Sequence, residues 1–127
     1  MNRTAFTMIE VIFVIVIIGL LGAMAIPLLS TTSKEAEGTR IVHNLGVCIN
    51  DAGSHYIKSG SFGGITQPGR NQSPSCRSAD RCFNFVETDS NGSLKVSNDP
   101  SATSAECEEA HRIAGQNMLT VTHTLNF

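Results

Sequence analysis

An α+β fold, a small antiparallel sheet laid on one long N-terminal helix and stapled by disulfides, follows from three features of the chain. Residues 11–29 form an apolar run, and beyond it Ile41, Leu45, Cys48, Ile49, Ala52 and Tyr56 recur at helical spacing. Two short strand-like stretches joined through Asn91-Gly92, and an alternating run at 119–125, supply the sheet. Four cysteines, Cys48, Cys76, Cys82 and Cys107, all lie downstream of the apolar run.

The apolar run comes first. Its 19 residues span roughly 28 Å as a helix, close to the hydrocarbon thickness of a bilayer. Arg3 and the amino terminus precede it, whereas Glu35 and Glu37 offset Lys34 behind it. The positive-inside bias therefore places the N-terminus in the cytoplasm and the body outside. Between Arg3 and Lys34 the one ionisable side chain is Glu10. A charge in hydrocarbon costs roughly 2.5–3.5 kcal/mol on insertion scales, so an acid kept there normally has a partner.

A cleaved signal peptide is the competing reading, because Ala23-Met24-Ala25 has the small-x-small cleavage pattern. Glu10 at the start of the apolar region and Pro27 just past that cut oppose it. A plain signal anchor accounts for the span and leaves Phe6-Thr-Met-Ile-Glu10 without a reason. Gly19 and Gly22 each lower helix propensity by about 1 kcal/mol relative to Ala, and Pro27 removes a backbone donor and bends or breaks the helix. The helix is therefore weakest over 19–27, where the glycines are equally suited to packing on another membrane helix.

After Pro27 the helix resumes, with Arg40, Asn44 and Asn50 off its apolar face, and extends to about Lys58, where Ser59-Gly60 stops it. The stretch 61–75 is rich in Gly, Ser, Asn, Gln and Pro and reads as a long loop. Residues 83–87 and 94–96 form a hairpin, since Asn-Gly supplies the positive-φ turn. Thr103-Ser-Ala-Glu106 is a capping-box pattern opening a short helix that ends near Gly115. The run 119–125 is the final strand.

Composition narrows the function. At 127 residues the chain holds one domain at most, and a net charge of −2 provides no basic surface for nucleic acid or for a stable hold on anionic lipid. With no Trp and one Tyr the core is thin, which is where disulfides help. The spacing of Cys76 and Cys82, without a Cys-x-x-Cys pair, disfavours zinc. Four cysteines allow three pairings. Sequence proximity favours Cys76 with Cys82, leaving Cys48 for Cys107; the chain-entropy estimate is then about 2 kcal/mol for the short loop and about 4 kcal/mol for the long one. No nucleophile elbow, phosphate loop or His-acid metal pattern is present, so an enzyme is not expected, and no cofactor or metal is assigned. His43, His55, His111 and His123 receive no role.

The stretch from Ala5 to Pro27 resembles the N-terminus of type IV pilins and of the pseudopilins of type II secretion and DNA-uptake systems. The resemblance rests on Phe6, on Glu10 four residues later and on the apolar span. It implies that prepilin peptidase cuts between Ala5 and Phe6, that the new amine of Phe6 is N-methylated, and that Glu10 is the family's assembly acid. Gly19 and Pro27 fall where the family tends to carry helix-weakening residues. The chain departs from the family in having Ala rather than Gly before the cut and a short leader with a single base. The implied division is a leader at 1–5, a transmembrane and assembly half of the helix at 6–30, and a periplasmic or extracellular head at 31–127. The family's head is likewise a sheet on a helix, and some pseudopilins bind calcium there. Asp89 and Asn91 are compatible with two ligands of such a site, although turn chemistry alone accounts for them.

The function this implies is a structural subunit of a type IV pilus, or fimbrium, or of a pilus-like filament. Its partners would be membrane lipid, an inner-membrane assembly platform, other pilins and further copies in a helical filament. It would sit in the bacterial inner membrane as a single-pass protein before assembly, and in a periplasmic or cell-surface filament afterwards. The alternatives are a pseudopilin of a type II secretion or DNA-uptake system and a membrane-anchored binding module that does not polymerise.

Overall fold

The computed structural model describes residues 5–124. In chain order the elements are α1 (Met8–Ser59), α2 (Pro74–Ala79), β1 (Phe83–Thr88), β2 (Ser93–Asn98), α3 (Ala105–Gln116) and β3 (Thr122–Thr124). The long helix and the small antiparallel sheet make the fold α+β. The chain divides into two compact units, one ending at Ser33 and one beginning at Lys34.

In the second unit the expected face of α1 is the foundation of the core. Ile41, Leu45, Cys48 and Ala52 are fully buried, and Phe62, Phe83, Phe85, Leu94, Val96, Ala110 and Ala114 belong to the same cluster. The sheet has the order β1-β2-β3, antiparallel throughout. Phe85 pairs with Val96 and Glu87 with Leu94. Alternation along β1 sends Phe83 and Phe85 inward and Asn84 and Val86 outward, as a half-buried strand requires.

Helix α3 approaches α1 closely at Gly38. A Cβ there would stand 2.9 Å from Glu109 Cβ and 3.1 Å from the Glu106 carbonyl oxygen. The N-cap of α3 is Ser104, whose hydroxyl accepts from the Cys107 N–H. The cap thus lies one residue later than Thr103-Ser-Ala-Glu106 implies, and Cys107 rather than a Glu occupies the third helical position, so no capping box forms. The far end is a Schellman motif: Leu119 N–H bonds the Ala114 carbonyl at 2.9 Å and Met118 N–H the Gly115 carbonyl at 3.3 Å. Met118 takes the left-handed position usually given to Gly, with φ of 53°. This cap uses Leu119, which packs on the core, so the expected strand is paired only over Thr122–Thr124. Leu125 lies outside the described residues.

Helix α1 continues through Pro27 as one helix, as the expected long spine requires, so of a bend or a break at Pro27 no break occurs. Two further expectations are corrected. The stretch read as a loop over 61–75 gives way to α2 at Pro74, where proline opens the helix from its first position. The disulfides are Cys48–Cys76 and Cys82–Cys107, with Cα separations of 4.7 and 5.2 Å, not Cys76–Cys82 and Cys48–Cys107. The cause is α2 itself. It lies against α1, where Asn44 Nδ2 donates to Ser78 Oγ at 2.9 Å, and so presents Cys76 to Cys48. Cys82, just before β1, is left to meet Cys107 of α3.

The observed pairing removes the expected inequality of the two bridges. Their sequence separations are 28 and 25 residues, for which the chain-entropy estimate is about 3.5 kcal/mol each. Replacing Cys48 and Cys76 by Ser, or Cys82 and Cys107 by Ser, should lower the unfolding free energy of the detergent-solubilised chain by similar amounts in denaturant titrations.

Candidate functional site

The site that the sequence singles out lies in the first unit. Helix α1 carries a segment long and apolar enough to cross a membrane, and none of that segment is buried within the chain. Its large apolar side chains, from Met8 at 81 % exposure to Ile17 at 41 %, all face outward. An exposed apolar surface this continuous marks a membrane or protein contact.

At the start of this surface, Glu10 is held by a residue that charge reasoning passed over. Thr7 precedes α1, and its N–H and hydroxyl both donate to Glu10 Oε2, at 2.8 and 3.0 Å. In return Glu10 N–H lies 3.1 Å from the Thr7 carbonyl and 3.4 Å from the Thr7 hydroxyl. This is a capping box, with Thr7 at the N-cap and Glu10 three residues on. Its signature, Thr-x-x-Glu before an apolar run, stands in the sequence at Thr7-Met-Ile-Glu10; it escapes notice when the acid is read only as a charge. Glu10 Oε1 accepts no hydrogen bond from the described residues, so one carboxylate oxygen serves the helix end and the other is open.

The remaining expected residues fall as follows. Ala5 and Phe6 lie exposed ahead of α1. Gly19 and Gly22 are helical, and a Cβ built on either meets nothing within 4 Å. Pro27 is inside the helix, and Thr31 and Thr32 hydroxyls bond back to the Pro27 and Leu28 carbonyls at 3.2 and 2.9 Å.

In the second unit the polar side chains are spent on structure. Asp89 Oδ1 accepts from Phe62 N–H at 2.8 Å, and Asn91 Oδ1 from Ser93 N–H at 3.1 Å. Among the described residues no three His, Cys, Asp or Glu side chains come together as a metal site. His55, His111 and His123 each set a ring nitrogen against a backbone carbonyl, that of Ser61, Cys82 and Leu119 respectively. Glu37 lies 2.7 Å from Arg40 and 3.5 Å from Arg81. Its hydrogen bond to Arg40 holds its carboxyl below the usual range. Glu109 is held down in the same way by Arg112, and Asp99 by the hydroxyl and N–H of Ser101. Asp80 moves the other way: burial raises it, Asp99 adds to the rise, and a hydrogen bond from Gln72 opposes it.

No family model, curated protein or solved structure matches the chain.

Asp80 therefore works against the fold at neutral pH. Its folded-state value lies above the unfolded one, so the native state binds the proton more tightly, and that advantage is lost as pH rises through the folded value. Asp80→Asn should raise the urea midpoint at neutral pH and leave it unchanged in acid. Glu37, Asp99 and Glu109 have the opposite sign, contributing stability that falls away as pH drops through their lowered values.

Proposed function

We propose that the chain is a structural subunit of a type IV pilus or pilus-like filament, held in the bacterial inner membrane by residues 6–30 and polymerised through the same segment. The observation that carries this reading is the uncovered apolar half of α1 with a single carboxylate at its head. Apolar surface of this extent is stable only in lipid or against equivalent surface, at roughly 25 cal/mol per Å² removed from water. Lipid serves before assembly, and the Ile, Val and Leu stripes of neighbouring subunits serve afterwards.

The carboxylate sets the register. Cleavage between Ala5 and Phe6 would create a cationic amine on each subunit. In low dielectric an amine and a carboxylate are each costly alone and much less so together. Glu10 keeps Oε2 on Thr7 and has Oε1 open to a neighbour's amine, which fixes the axial stagger as subunits add. A membrane-anchored module that never polymerises shares the span and has no use for that oxygen. The weakened stretch from Gly19 to Pro27 is suited to unwinding as the helices pack in the fibre.

Two measurements test the reading. Mass spectrometry of the mature protein should find an N-methylated Phe6 at its N-terminus. Ile26 as the first residue would indicate an ordinary secreted domain, and an intact Met1 a plain anchor.

Glu10→Ala and Glu10→Gln together separate charge from capping, because a glutamine at this helical position still serves a capping box. Both variants should insert in the membrane at least as well as the parent, since a costly charge is gone, and both should fail to enter fibres. Normal assembly of Glu10→Gln would mean that the cap, not the charge, is what assembly needs.

A further inference from the structure

We propose that Asn91 is the acceptor for N-linked glycosylation by a bacterial oligosaccharyltransferase, with a polyprenyl-pyrophosphate-linked oligosaccharide as donor. The proposal rests on the reading above in one respect: the second unit must lie on the outer side of the inner membrane, where such donors are presented. Asp89-Ser-Asn91-Gly-Ser93 joins the Asn-x-Ser triplet, with x other than Pro, to an acid two residues ahead of the asparagine. The triplet alone is weak evidence: with Ser or Thr in its third place it occurs three times, at Asn2, Asn71 and Asn91. The preceding acid supplies a second point of recognition, a charge that a transferase cation can grip. Asn91 has it, whereas Gly69 holds that place before Asn71.

The geometry separates Asn91 from Asn71. Asn91 is exposed in the turn between β1 and β2. Its Oδ1 is tied to Ser93 N–H, while its Nδ2, the atom to be glycosylated, donates to none of the described residues. Gly92, with φ of +62°, turns the chain over the Tyr56 ring, and the Tyr56 hydroxyl braces the Asp89 carbonyl at 2.9 Å. A glycan on Asn91 leaves all of these contacts in place. At Asn71, Nδ2 donates to the Gly63 carbonyl at 3.4 Å, and Ser73 donates its hydroxyl to Asp51 at 2.6 Å. A glycan on Asn71 would compete with the first of these contacts.

Ser93 is 8 % exposed, so the transferase reads the segment before β2 pairs, and the closed turn then holds the sugar outward. In the transfer Nδ2 attacks the anomeric carbon of the donor sugar. The bond from that carbon to the pyrophosphate oxygen breaks, polyprenyl pyrophosphate leaves with the electron pair, and the amide loses one proton. Nothing is oxidised or reduced.

The test expresses the full chain in bacterial cells carrying such a transferase and its lipid-linked oligosaccharide, followed by intact-mass and glycopeptide mass spectrometry without reduction. One oligosaccharide at Asn91 is expected, lost in Asn91→Gln and in Asp89→Asn, and kept in Asn71→Gln. Asp89→Asn retains an oxygen for the Phe62 N–H, so its loss of glycan reads out the charge and not the fold, and intact Cys48–Cys76 and Cys82–Cys107 bridges in each variant check folding. A chain with both bridges formed and no sugar overturns the proposal while leaving the outward placement standing. A chain with free thiols and no sugar overturns the placement and the proposal with it. Equal modification of Asp89→Asn and the parent overturns the role of the acid, and sugar on Asn71 overturns the choice of site.

Discussion

The second unit depends on one strip of α1, the face carrying Ile41, Leu45, Cys48 and Ala52, all without solvent exposure. The other elements are arranged around that strip. Helix α2 is bolted to it through Cys48–Cys76 and the Asn44–Ser78 hydrogen bond, and α3 reaches it because Gly38 has no side chain. The sheet lays Phe83, Phe85, Leu94 and Val96 into the same cluster. So small a body has few large apolar side chains to bury, and the two covalent links supplement a hydrophobic term that is marginal at this size.

The same helix obeys the opposite rule before Ser33. There the large apolar side chains of the described residues are exposed. One continuous helix therefore meets two environments, changing at the boundary between the compact units. A helix end placed near hydrocarbon leaves backbone donors that water cannot reach. The Thr7–Glu10 capping box supplies partners from within the chain. The acid is thus a structural cap through Oε2, while its second oxygen accepts no hydrogen bond from the described residues.

Between α1 and α2, the 61–73 region is held by the buried Phe62 and by hydrogen bonds. Thr66 is fully buried and donates both its N–H and its hydroxyl to Glu87. Gln67 Nε2 donates to the Phe85 carbonyl at 2.8 Å, which occupies part of the free edge of β1 and blunts its capacity to pair with another strand. Ser73 closes the segment onto Asp51 of α1. Among the described residues no buried side-chain nitrogen or oxygen lacks a partner, as a polar segment packed on a thin core requires.

What the sequence determined by itself is whatever depends on local period and local chemistry: the long helix and its buried face, the Asn91-Gly92 hairpin, the apolar span and the presence of disulfides. The Thr7-Met-Ile-Glu10 cap belongs to the same class and was equally legible. The tertiary structure alone decided the disulfide partners, because proximity in the chain does not reveal that α2 turns Cys76 toward Cys48. It also decided the length of β3, where the helix cap at Met118 and Leu119 takes residues that alternate as a strand. Finally, it decided the duties of Asp89 and Glu87, whose carboxylates bond backbone N–H groups 27 and 21 residues away. In each case the deciding partner is distant in sequence, and periodicity carries no information about which distant segments the fold brings together.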